Sequence, residues 1–134
     1  MNNYRLSLSL FLLRSSVFLV MFMWTLDKFL RTAHATIVYE KFYFIHGIGD
    51  LLIYGIAIIE LIIIIGFLLG VQKRITYGLI LIFHSISTIS SFKQYLAPFT
   101  NSNLLFFAAW PMLAACITLY LLRDSDTFLS LGKK

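Results

Sequence analysis

A chain of 134 residues has room for one domain. Of its residues 60% are hydrophobic and 13% charged, about half the ~25% charged content of an ordinary soluble domain, and the mean hydropathy is +0.87. So little charge does not cover a surface in water, which excludes a soluble enzyme and makes the lipid bilayer the natural solvent. The net charge of +5 does not signal nucleic acid. Its Lys and Arg residues stand singly or in pairs at the ends of apolar runs, where they orient a membrane protein.

The first run begins after Arg5 and covers residues 6–30. Ala33-His34-Ala35 imitates a signal-peptidase site, but the run is long, is interrupted by Arg14, and is followed by Asp27, Lys28 and Arg31. A retained first helix is expected. Three more stretches reach the roughly 20 apolar residues that cross a hydrocarbon core: residues 50–69, 75–97 and 104–122. Gly70-Val71-Gln72-Lys73-Arg74 reads as a tight polar turn, and Pro98 to Asn103 as a loop that stops one helix and starts another. The pattern predicts an all-α membrane protein, an antiparallel four-transmembrane-helix bundle forming one domain over residues 1–134.

Between the first two spans, Arg31 to Gly49 is too polar to cross a membrane, yet Ala35, Val38, Phe42 and Ile45 recur at helical spacing. A short amphipathic surface helix is expected there, with Tyr39 and Tyr43 at headgroup level; an ordinary loop is the alternative. Arg5, Lys73, Arg74, Arg123, Lys133 and Lys134 flank the spans on one side, against Lys28, Arg31, Lys41 and Lys93 on the other. This bias puts both termini in the cytoplasm.

Ionisable groups inside a span are expensive and require a reason. Arg14, Glu60 and His84 each lie about nine or ten residues from the cytoplasmic end of their spans, roughly 13–15 Å deep at the helical rise. Up-down connectivity therefore places them in one polar layer, in which Arg14 and Glu60 pair. Arg14 shares a helix face with Thr25 and Lys28, and His84 shares one with Thr88, Ser91 and Tyr95. Two readings stand: a buried ion pair that fixes helix register, or a polar pocket for a proton path, a quinone headgroup or a small substrate. Nearer the other surface, His46, Asp50, Lys93 and Tyr95 fit simple anchoring at the headgroups, as do Trp24 and Trp110.

Some chemistry is excluded. Cys116 is the single cysteine, which removes an intrachain disulfide, a redox pair and a cysteine metal site. His46 and His84 differ in depth by roughly 20 Å, so one chain does not clamp a haem between them, and no metal site is expected. Phosphate-loop, dinucleotide and zinc-protease motifs are missing from the sequence. Gly66-x-x-x-Gly70 is best read as a place of close helix packing.

Two stretches carry a family likeness. The first runs from Leu12-Leu13-Arg14 through Phe18-Leu19 to Trp24-Thr25-Leu26-Asp27-Lys28-Phe29-Leu30. The second is Gly55-Ile56-Ala57-Ile58-Ile59-Glu60-Leu61 with Gly66-Phe67-Leu68-Leu69-Gly70 and Lys73-Arg74. Together they resemble the DoxX/DoxD-like family of small four-helix bacterial membrane proteins, over about half the chain. The resemblance implies an antiparallel four-helix bundle in which Arg14, Glu60 and Lys28 are characteristic polar positions. Trp24 and Thr25 depart from the small, glycine-containing turn of many members, so the resemblance does not fix the width of any outer cavity. Some members serve as membrane subunits of thiosulfate:quinone oxidoreductases or associate with redox complexes.

The expectation is a small integral subunit of a redox or quinone-associated system in the bacterial inner membrane, with quinone as the candidate cofactor. Its candidate site residues are Arg14, Glu60, His84 and Lys28, then His46, Asp50, Thr88, Ser91 and Tyr95. Its partners are the lipid bilayer and other membrane subunits or further copies of itself. The alternatives are a structural or assembly subunit and a small oligomeric transporter.

Overall fold

Unbroken runs of Leu, Ile, Phe and Val with few backbone breakers give long helices, and the computed structural model, which describes residues 3–132, is helical with no strand among them. Helix α1 covers Asn3–Leu30, α2 Thr32–Tyr43, α3 Asp50–Leu68, α4 Lys73–Ser90 and α5 Phe92–Leu96. A 3-10 segment, Asn103–Ala108, runs directly into α6, Ala109–Leu121, and a short 3-10 turn, Arg123–Ser125, follows.

Three of the four expected spans have the length and apolarity to cross a membrane: Asn3–Leu30, Asp50–Leu68 and Asn103–Leu121. The stretch 75–97 is not one helix. Lys73, Arg74, His84 and a series of Ser and Thr dilute α4, which stops at Ser90 before the short α5. Serine and threonine hydroxyls bonding back to carbonyls four residues earlier loosen a helix, as Thr88 does to His84, Ser91 to Ser87 and Ser85 to Leu81.

The α3–α4 turn follows from its glycine. Gly70 has φ +65, its N–H donates to Phe67 O, and the Val71 N–H donates to Gly66 O. This is the Schellman arrangement, which needs a left-handed residue just past the helix. Gly66 faces α4, where an added Cβ would lie 3.1 Å from Thr76 Cγ2, so this member of the small-residue pair serves close helix packing.

The amphipathic connection is helical only to Tyr43, because Phe44 turns left-handed at φ 58. Ile45 therefore lies outside the helix and is exposed. Tyr39 packs inward on the small core of Ala35, Ile48 and Ile53, and Tyr43 bonds Ser87 of α4. Neither ring faces outward as the headgroup reading expects: α2 folds over α3 and α4 instead.

The main core joins Leu10 and Val17 of α1, Ile64 and Phe67 of α3, Tyr77 and Ile80 of α4, and Cys116 and Leu119 of α6. Around it the polarity is inverted relative to a soluble protein. Leu12, Leu19, Ile58, Ile59, Ile62, Ile65, Ile82, Ile86 and Leu105 are exposed, while Arg14 and Asp126 are sealed inside. A soluble monomer rarely exposes so large an apolar area, and these faces are compatible with contact with lipid.

Candidate functional site

The interior polar groups form three places rather than one layer. The first is built on Arg14, fully buried in α1. Long side chains on a helix lean toward its N-terminus, so the guanidinium reaches back to the level of the α3–α4 turn. One of its nitrogens donates to Asp126 Oδ2 at 2.9 Å and to the Tyr77 hydroxyl at 3.1 Å. The other donates to the carbonyls of Phe128 and Leu129 at 2.9 and 3.0 Å. Tyr77 in turn donates to Asp126 Oδ2 at 2.8 Å. Arg14 and Asp126 are both 0% exposed.

These bonds fold the segment after α6 back over the ends of α1, α3 and α4. Ser7 Oγ and Thr127 Oγ1 lie 3.0 Å apart, and Phe128 packs on Phe11 and Tyr4. The Leu131 N–H donates to Leu69 O, and Lys73 Nζ to Asp126 O. An added Cβ on Gly70 would collide with Ser130 Oγ and come within 3.1 Å of the Arg14 guanidinium. The glycine thus serves the turn and the latch together.

The second place is farther along the helices. Lys28 Nζ donates to Glu60 Oε2 at 2.8 Å, and Thr25 Oγ1 lies 3.3 Å from the same oxygen. Lys28 and Glu60 remain 14% and 17% exposed. Tyr39 and Tyr43 of α2 stand near enough to feel the Glu60 charge, and burial, reinforced by that charge, pushes both phenols above their ordinary range. Around one carboxylate there are thus an ammonium, a threonine hydroxyl and two neutral phenols.

The third place is His84, whose Nε2 lies 2.9 Å from the Ala109 carbonyl at the start of α6. With its proton on Nε2 it donates there and clamps α4 to α6. Thr88 and Ser91 are buried on the same face, whereas Tyr95 is half-buried against Phe107 and Trp110. His46 and Asp50 are exposed.

The expected Arg14–Glu60–His84 layer is therefore not brought together. Thr25 and Lys28 are 11 and 14 residues beyond Arg14, about 17–21 Å of helical rise, and it is they that meet Glu60. Counting depth from span ends fails because α1 and α3 are staggered: Thr25 and Lys28 stand beside Glu60, while Arg14 stands beside Gly70 at the α3–α4 turn. Asp126 escapes a span-by-span reading because it lies outside every apolar run. The signal was the leaning arginine itself: a buried guanidinium demands a carboxylate, and Asp124 and Asp126 follow the last span at that same end. Among the described residues, no group of three or more His, Cys, Asp or Glu could hold a metal.

No known protein family, curated protein or solved structure matches the chain.

Proposed function

We propose that the protein is a DoxX-like antiparallel four-helix membrane bundle, with both termini on the cytoplasmic face of a bacterial inner membrane. In this reading it is a small subunit within or beside a redox or quinone-linked system. The helix order is supported by residue pairings. Going up α1 from Arg14 to Lys28, the neighbours go down from Gly70, just past the end of α3, to Glu60 within it. Going up α4 from Gly78 to His84, the neighbours on α6 go down from Tyr120 to Ala109.

The observation that carries the functional reading is the Lys28–Glu60 pair, part-open among apolar helices, with Tyr39 and Tyr43 near enough to feel the Glu60 charge. A quinone headgroup offers two carbonyl oxygens that need hydrogen-bond donors, and a quinol offers hydroxyl protons that need an acceptor. The ammonium and phenols supply the donors, and Glu60 supplies the acceptor. The Arg14 site, closed on every side by the chain itself, serves as the structural latch.

The test is native mass spectrometry of gently solubilised protein, with extraction of its small molecules. The reading expects a stoichiometric quinone or redox subunit, lost on Glu60→Gln while the protein stays folded. Ordinary lipid alone, with the partners unchanged in that variant, contradicts it. Partner loss on changing the exposed Ile59 and Ile62 face of α3 would assign an assembly role instead, and solute flux in liposomes of the pure protein a transport role.

A further inference from the structure

The latch creates a second feature at its own end of the molecule. Where the tail returns past the α3–α4 turn and the 3-10 turn after α6, a cleft of about 590 Å³ opens, lined among others by Gln72, Lys73, Arg74, Arg123, Asp124 and Leu131. Three cations face one acid there, yet no salt bridge joins them among the described residues. Lys73 gives its ammonium to the Asp126 backbone carbonyl. Arg123 is held with its guanidinium 4.8 Å from the Tyr120 ring centroid and one nitrogen on the Tyr120 carbonyl. Arg74 is exposed and makes no hydrogen bond or ion pair among the described residues.

A carboxylate that could neutralise this end is already consumed, because Asp126 is sealed against Arg14. The remaining charge is excess. Apolar side chains border the cleft: Val71 and Leu131 line it, and Ile75, next to Arg74 in the first turn of α4, is exposed. A concave basic site with an apolar border, at the ends of membrane-length helices, matches a ligand with an anionic head and an apolar tail.

We propose that this cleft binds the phosphate of an anionic phospholipid headgroup. Arg123, pre-positioned on Tyr120, and the free Arg74 take the phosphate oxygens. Lys73 adds charge from the floor, and Val71, Leu131 and Ile75 meet the first carbons of the acyl chains. The inference rests on the bilayer placement alone, so its failure leaves the Lys28–Glu60 reading untouched.

The experiment titrates phosphatidylglycerol, phosphatidylcholine and glycerol 1-phosphate onto delipidated protein in detergent and counts adducts by native mass spectrometry. Each cation near a lipid headgroup contributes roughly a fivefold factor. Arg74→Gln with Arg123→Gln should therefore weaken phosphatidylglycerol binding about thirtyfold, and the exposed Arg74→Gln alone about fivefold. Lys41→Gln with Lys93→Gln, an equal charge change elsewhere, should leave it within about twofold. Equal binding of phosphatidylcholine, or equal weakening by both double variants, would overturn the proposal. Glycerol 1-phosphate binding as tightly as the lipid would also overturn it, in favour of a soluble phosphate ester.

Discussion

Two interior ion pairs among the described residues are made from the same chemistry and treated in opposite ways. Arg14 and Asp126 are wholly sealed, with Tyr77 and two backbone carbonyls also bonded to the arginine's terminal nitrogens. Arg14 Nε and Asp126 Oδ1 have no hydrogen-bond partner among the described residues. Lys28 and Glu60 are left part-open, joined by one bond between charges and one threonine hydroxyl. A sealed pair tolerates no loss of a partner, since the survivor has no water to turn to; a part-open pair can exchange its partner for a ligand. The difference separates what holds the fold from what is available for function.

The comparison can be broken most severely at the latch. Asp126→Ala should destabilise the protein by about 3–5 kcal/mol, because an unpaired arginine remains buried. Arg14→Met with Asp126→Leu should recover most of that loss. Denaturing-detergent titration followed by helical circular dichroism reads both. Lys28→Met, at the part-open pair, should cost about 1.5–3 kcal/mol in the same titration, since Glu60 keeps Thr25 and some access to water.

Smaller effects sharpen the picture. Gly70→Ala should cost at least about 1–2 kcal/mol for its left-handed backbone, and its Cβ should also disturb the Arg14 latch. Faster proteolysis of the segment after α6 would register that disturbance. His84→Leu should cost about 1 kcal/mol, the value of one interhelical hydrogen bond, leaving the latch and the Lys28–Glu60 pair as they are.

The long helices were legible because apolar runs of that length have few other ways to satisfy their backbone. Asp50–Leu68 falls within one residue of its expected span, and the surface connection is helical as its spacing implied. What was not legible depended on direction rather than composition. Arg14 and Glu60 stand at equal counts from their span ends, but the stagger of α1 against α3 and a tail's return path decide which charges meet. Residue counting carries neither. The break at Ser91 was similarly hidden, because α4 and α5 read as one apolar stretch until hydroxyl back-bonding is considered.

The central claim is that Arg14 belongs with Asp126 and Glu60 with Lys28, in separate places. Two double-mutant cycles in equilibrium unfolding test it most directly, one on Arg14 and Asp126, the other on Arg14 and Glu60. The account predicts a coupling of several kcal/mol in the first and additivity within about 0.5 kcal/mol in the second. Strong coupling between Arg14 and Glu60, with none between Arg14 and Asp126, would contradict it and restore the single polar layer.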